Sequence, residues 1–285
     1  MPATTLTEQT RTAWDRIATG FDTHVTDRNV ELGRLALSRV PVGPGTRLLD
    51  VAAGTGALAL PAARAGADVT AVDLSPEMVR LLVRRAESEG LACLTPLVMD
   101  GQDLDLGDAT FDVTASQFGV MLFPDLARGI GEMARVTRPD GTVMLVVFGA
   151  LPHQVEFISF FVAAVRSVLP SFEALPADSL LPPFRLADRE ALHRHMADAG
   201  LDEIRIETVD HAVPLSPPVP GAELVEVVAN SNPIGTDLVN RLTARQRSEV
   251  TRVLDGMLGE RATGDDPWLH NPVHIATATP ARTRR

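Results

Sequence analysis

The sequence holds a single cysteine, Cys93, among 285 residues. That excludes an internal disulfide and any metal cluster built on cysteine. No apolar run reaches membrane-spanning length. The opening residues, Met1-Pro-Ala-Thr-Thr-Leu-Thr-Glu8, have neither a basic start nor an apolar core, so no secretion signal is read there. Positive charge is scarce: 26 basic against 37 acidic side chains leave a formal charge of −11. A broad nucleic-acid footprint wants a basic face. The one basic cluster, Arg282-Thr-Arg-Arg285, reads as a solvated tail. The expectation is a cytoplasmic protein that binds neither nucleic acid nor membrane. Its length suits one large α/β domain with an appended lid.

What is present centres on Arg47-Leu-Leu-Asp-Val-Ala-Ala-Gly-Thr-Gly-Ala-Leu-Ala-Leu60. Leu48, Leu49 and Val51 read as a buried strand whose end carries Asp50. A glycine turn and an Ala/Leu-rich helix follow. Such a turn lets a ligand lie against bare main chain, and a helix start offers unpaired N–H groups. Two cofactors compete for it. Gly54-Thr55-Gly56-Ala57-Leu58-Ala59 fits the dinucleotide fingerprint, with an acid following at Asp73. Asp50, however, would repel a diphosphate and welcome a cationic amino-acid ligand. S-adenosylmethionine, with an ammonium, a sulfonium and no phosphate, is therefore the preferred ligand.

Strands and helices alternate from there. Residues 8–40 read as two helices, the first placing Trp14, Ile17, Ala18 and Phe21 on one stripe and nearing its end at Gly20. Asp27 is expected to cap the second, which runs to about Val40. Further strands are expected at Asp68–Asp73, Leu94–Met99, Phe111–Ser116 and Thr142–Phe148. Helices are expected from Ser75-Pro76-Glu77 to Glu89 and from Pro124 to Thr137, with Arg138-Pro-Asp-Gly141 as a turn. Beyond, Pro152–Leu169 reads as a helix and residues 170–186 as a loop. A helix opens at Asp188 and ends at Gly200, and Ile204–His211 is a strand. Helices follow at Ala222–Asn230 and Asp237–Glu260, and Pro272–Thr279 is the last strand. The alternation implies a doubly wound parallel sheet with helices on both faces, which binds ligands beyond the carboxyl ends of its strands. Asp50, Asp73 and Asp100 all stand at such ends. Three strands thus aim a carboxylate at one crevice.

Five segments in order resemble the class I S-adenosylmethionine-dependent methyltransferases, especially the ubiquinone/menaquinone C-methyltransferase branch. They are Leu49-Asp-Val-Ala-Ala-Gly-Thr-Gly56, Val72-Asp-Leu-Ser-Pro-Glu-Met78, Asp100-Gly-Gln-Asp-Leu104, Phe111-Asp-Val113 with Ser116-Gln-Phe-Gly119, and Ala134-Arg-Val-Thr-Arg-Pro-Asp-Gly141. Trp14-Asp-Arg-Ile-Ala-Thr-Gly-Phe-Asp22 is similar to that branch's N-terminal lid. The resemblance covers about residues 12–150. It departs from the family at Ala52 and Asp140, where glycines are usual. It implies a Rossmann-like, mostly parallel seven-stranded sheet closed by an antiparallel pair, with residues 1–40 as a helical lid. Residues 41–285 would form the cofactor domain, with substrate-cover insertions at about 150–197 and 214–271.

By that resemblance Asp50, Ala52, Gly54 and Gly56 shape the methionine pocket, and Asp73 accepts the ribose hydroxyls. Leu74 and Met78 sandwich adenine, while Asp100, Gly101 and Gln102 meet its edge. Ser116, Gln117 and Phe118 lie beside the reacting methyl. For proton transfer the candidates are His153 and His24, against the ordinary reading of surface or hydrogen-bonded histidines. No metal site is expected: His193 and His195 cannot share a helix face. The acceptor is expected to be a small, fairly apolar metabolite, from Met121, Leu122, Phe123, Phe157, Phe160 and Phe161. A homodimer is left open. The alternatives are an NAD-dependent oxidoreductase and a non-methylating cyclase or scaffold on the same fold.

Overall fold

The computed structural model describes residues 5–172, 182–217 and 219–281. Five parallel strands form its centre: β1 (Arg47–Val51), β2 (Asp68–Asp73), β3 (Leu94–Val98), β4 (Phe111–Gln117) and β5 (Thr137–Phe148). With β6 (Leu201–Asp210) and β9 (Pro272–Pro280) they make a seven-stranded sheet in the order β3-β2-β1-β4-β5-β9-β6. β9 runs antiparallel to both β5 and β6. The order reverses at β1, which has β2 on one side and β4 on the other. A doubly wound sheet opens its ligand crevice at that point.

Side-chain alternation sends successive residues to opposite faces. Leu48, Val113, Ala115, Met144 and Val146 pack on one face beneath α2 (Thr26–Leu37), α3 (Ala59–Arg64) and α4 (Pro76–Ser88). Leu49, Val51, Val143, Leu145 and Val147 face the other way, under α5 (Leu126–Val136) and α7 (Arg189–Asp198). A separate apolar cluster joins α6 (Glu156–Val168), α8 (Gly221–Ser231), α9 (Pro233–Asn240) and α10 (Ala244–Thr263). A two-strand ribbon, β7 (Val213–Pro214) with β8 (Trp268–Leu269), sits beside it. Of residues 150–197, α6 joins this helical cluster while α7 packs on the sheet.

The first helix, α1 (Leu6–His24), spans the gap between sheet and helical cluster. Ile17 and Ala18 meet Met78 and Leu81 of α4. Asp15 accepts from the Ser75 hydroxyl at 2.5 Å, and Asp22 from Arg85 at 2.5 Å. Among the described residues no helix is long and apolar enough to cross a membrane.

Several expected boundaries move. Gly20 lies inside α1, because a Cβ there would sit 1.8 Å from Asn230 Oδ1 of α8. Asp27 is not a cap: α2 starts at Thr26 behind Val25 with no side-chain cap, and Asp27 pairs with Arg85. Arg138–Gly141 is strand rather than turn. β5 begins directly after α5, and a register shift opposite Phe111–Val113 absorbs the extra residues. Asp237–Glu260 is two helices, because Thr243 caps α10 afresh by accepting from Gln246 N–H. Of the loop expected at 170–186, residues 173–181 lie outside the described residues, as does the tail from residue 282.

Gly33 fixes how closely α2 approaches the glycine loop. A Cβ there would lie 2.4 Å from the Ala57 carbonyl oxygen, backbone that cannot step aside. Gly33→Ala gains about 1 kcal/mol of helix propensity, but overpacking of this kind costs about 1–3 kcal/mol. The denaturant midpoint should therefore fall with its slope unchanged. An unchanged or raised midpoint would contradict the packing described.

Candidate active site

Asp50 is the tip of the central strand and is 1 % exposed. Its Oδ2 is buried with no hydrogen-bond partner. Burial pushes its carboxyl up to about 8; the Ala59 N–H opposes this and the charge of Asp73 adds to it. Burial likewise raises Asp73 to about 6, against the pull of backbone donors that include Ser75 N–H at 2.9 Å and Gly54 N–H at 2.8 Å. Asp15, arriving from α1, adds a further like charge. No arginine is hydrogen-bonded to either carboxylate among the described residues. Among the described residues the pair has no counter-ion, which favours the protonated acid at Asp50 in the ligand-free site.

The loop beneath is strained where it faces the ligand space. Ala52 has φ +57° and Phe118 φ +58°, left-handed conformations that cost a residue with a Cβ about 1–2 kcal/mol. Gly54 takes the same conformation at φ +54° without that cost. A Cβ on Gly119 would fall 2.4 Å from that of Ala52, so the two turns close on each other. Outliers that cluster at one spot mark a functional site.

Eleven of the thirteen expected cofactor residues line one cavity: Asp50, Ala52, Gly54, Asp73, Leu74, Met78, Asp100, Gly101, Gln102, Gln117 and Phe118. Gly56 is not among the lining. Its φ of +100° turns it inward, where a Cβ would strike Leu82 and Leu60. Ser116 is also outside: it is fully buried, and its hydroxyl accepts from Val120 N–H at 3.0 Å to shape the turn after β4. Asp100 Oδ1 accepts from Gln102 N–H at 2.9 Å, which folds its loop along the cavity edge.

Neither expected histidine reaches the cavity. His153 is exposed on a turn after β5. His24 faces Glu223 at 3.2 Å, which Arg28 also meets at 3.0 Å, in a link between α1, α2 and α8. His274 is buried, with both ring nitrogens taken by Thr208 and the Ala187 carbonyl.

Other residues line the cavity unforeseen. Trp14 and Phe21 of α1, read as a helix stripe, roof it in an edge-to-face pair 6.2 Å apart. Arg28, Asn29, His211, Asn232 and Asn271 bring polarity to its far end. Phe148 forms an aromatic wall there, 4.9 Å from Phe118, 5.0 Å from Phe184 and 6.4 Å from Phe157. Met121, Leu122, Phe123 and Phe157 line the cavity as expected, whereas Phe160 and Phe161 pack in the helical cluster. The cavity therefore has an acidic, glycine-floored end and an apolar, aromatic end.

The raised Asp50 carboxyl ties stability to pH. An unfolded Asp50 releases its proton near 3.8, whereas the folded one keeps it to about 8. Between those values the folded state binds more protons, so ligand-free stability falls as pH rises. Asp50→Asn has the same shape and lacks this dependence. Thermal unfolding should show the ligand-free variant more stable than the parent at pH 8, by an amount on the order of a few kcal/mol, with the gap closing towards pH 5. Parallel pH profiles for the two would contradict the burial of a lone carboxylate.

Residues 49–145 match the family model described as a methyltransferase domain. A Mycobacterium tuberculosis protein of uncharacterised role is 38% identical over 160 residues, 56% of this chain and 55% of that one. The ubiquinone/menaquinone biosynthesis C-methyltransferase of Citrifermentans bemidjiense is 27% identical over 213 residues, 70% of this chain and 90% of that one. The chain spans about half the length of the first curated relatives it matches. Among solved structures, a Haemonchus contortus phosphoethanolamine N-methyltransferase in complex with S-adenosylhomocysteine superposes with a TM-score of 0.54 at 17% identity, over 88% of this chain and 53% of that one. The methyltransferase-domain match over residues 49–145, together with this sheet order, supports a class I S-adenosylmethionine-dependent methyltransferase.

Proposed function

We propose that the protein transfers a methyl group from S-adenosylmethionine to a small, fairly apolar metabolite held at the aromatic end of the cavity. The observation that carries this is the unpartnered Asp50 oxygen at the mouth of the glycine loop. A carboxylate so placed repels a diphosphate and lacks only a cation. That weighs against the NAD-dependent alternative, whose fingerprint rests on the same loop.

The other residues fit the rest of the ligand. Asp73 accepts one N–H on each oxygen, and a carboxylate has about four lone-pair sites. One site per oxygen is left for two ribose hydroxyls. Leu74 and Met78 offer apolar faces to the base, with Asp100, Gly101 and Gln102 at its edge. Once bound, the cofactor supplies an electrophilic methyl group on a sulfonium. Phe118, Phe148 and Phe157 exclude water from the space beside it and hold an apolar acceptor for in-line attack.

Residues 1–40 belong to this reading as a lid, and residues 150–197 and 214–271 as the substrate cover. The roof formed by Trp14 and Phe21, and the link from His24 and Arg28 to Glu223, support that assignment. The single cysteine and acidic balance favour a cytoplasmic enzyme of small-molecule metabolism.

S-adenosylhomocysteine should raise the unfolding temperature with the logarithm of its concentration above Kd, with about 2.7 kcal/mol of stabilisation at a hundredfold excess over Kd. NAD(H) should leave the temperature unchanged, and Asp73→Ala should abolish the response. Stabilisation by NAD(H) alone would overturn the reading. Ligand binding without release of S-adenosylhomocysteine across a panel of apolar acceptors would favour the cyclase or scaffold instead.

A further inference from the structure

We propose that His211 is the general base for methylation of a weakly acidic hydroxyl, a phenol or enol, on a planar apolar acceptor. The proposal rests on the methyltransferase reading and adds to it the atom attacked and the group that takes the proton.

His211 directly follows β6. Because β5 and β6 both pair antiparallel with β9, β6 runs parallel to the central strands. Its carboxyl end therefore opens on the same sheet edge as Asp50, and His211 lines the cavity.

The backbone of His211 is fixed by Asn271. Its N–H donates to the Asn271 carbonyl at 3.0 Å, and its own carbonyl accepts from Asn271 Nδ2 at 3.1 Å. Asn271 is 4 % exposed and spends the rest of its side chain on backbone groups, the Leu269 carbonyl at 3.2 Å and Phe157 N–H at 3.4 Å. The Arg28 backbone carbonyl lies on the side of the ring and favours its N–H form. In the neutral imidazole the remaining nitrogen is then a lone-pair acceptor.

Burial, not the charged surroundings, favours the neutral ring. Burial lowers its pKa, opposed by the Arg28 carbonyl and by Asp210. Asp210 is itself turned to His270 and to Asn271 N–H. The Arg28 guanidinium is turned to Glu223 and to the His24 carbonyl. Among the described residues the ionisable groups lining the cavity are Asp50, Asp73 and Asp100 at the cofactor end, and Arg28 and His211 elsewhere. Arginine stays protonated. His211 is thus the proton acceptor available at the acceptor end.

A base has use only where the acceptor must lose a proton. An ionised carboxylate, a neutral amine or an alkene carbon attacks without one. Phenols, with pKa near 10, do need one, and the Phe148 wall suits their flat rings. In the step, the acceptor O–H proton passes to the free ring nitrogen of His211 while an oxygen lone pair forms the new C–O bond. The methyl C–S bond breaks, and its electron pair stays on sulfur as S-adenosylhomocysteine. The imidazolium then returns its proton to solvent.

The test measures S-adenosylhomocysteine release against pH, using S-adenosylmethionine with naphthols and substituted phenols of graded acidity. It compares the parent protein with His211→Ala and the more conservative His211→Gln. The parent should methylate the panel with a rising limb set by the base. Both variants should lose roughly 10²–10⁴-fold in kcat on the least acidic phenols, lose that limb, and recover most on the most acidic ones. Added imidazole should partly restore His211→Ala. Thermal stabilisation by S-adenosylhomocysteine should be unchanged in the variants. Activity within threefold of the parent on the least acidic phenols would overturn the proposal. So would a parent protein stabilised by S-adenosylhomocysteine that methylates no hydroxyl acceptor. Absence of that stabilisation in the parent would overturn the methyltransferase reading itself, and this proposal with it.

Discussion

A carboxylate buried without a counter-ion organises this structure. Asp50 stands at the tip of the one strand that has neighbours wound in opposite directions, under apolar layers on both faces of the sheet. Solvent cannot reach it, and Asp73 adds like charge rather than relief. Burying such a group costs free energy unless it is neutralised or paired. The ligand-free fold meets that cost by holding a proton there. A cationic ligand would meet it better, and on the proposed reading the destabilising feature is the recognition element.

Close approach keeps the site dry. Gly20 lets α1 lie against α8, Gly33 lets α2 lie against the loop, and Gly119 lets the turn after β4 close on Ala52. The chain contains no lysine, and arginine carries long-range charged links from α1 and α2 to the rest of the protein beside the His24–Glu223 contact. Arg85 joins Asp22 and Asp27 to α4, while Arg28 reaches Glu223 of α8. Arginine forks hold such links with more directional definition than ammonium groups would. The aromatic side chains around Phe148 give the cavity a flat apolar wall.

The sheet was legible because its strands are short, apolar and each followed by an acid or a turn. Asp68–Asp73 and the Ser75-Pro76 helix start fall where the residues place them. The carboxylates were legible for the same reason, since a strand end fixes where its last side chain points. Which residues at the end of β4 reach the cavity was not. Ser116 and Gln117 are adjacent, yet one is sealed in the turn and the other lines the cavity. Gly56 has the same composition signal as Gly54 but serves helix packing. His24 lay in the lid segment and His153 just beyond β5, so sequence position favoured both. His211 closes the Ile204–His211 pattern and lines the cavity because β6 runs parallel to the centre. Its meaning depends on β9 lying between β5 and β6, a pairing that local periodicity does not encode. Gly20 misled in a similar way, because glycine reads as a helix end when its contact lies two hundred residues away.

The central claim is that Asp50 holds a proton in the free protein and gives it up to a cation. Calorimetric titration of S-adenosylhomocysteine at pH 7, in buffers of different ionisation enthalpy, measures this directly. With a carboxyl near 8, the account predicts release of most of one proton per ligand bound, fading above pH 9. Binding heats that do not depend on the buffer at pH 7 would contradict it.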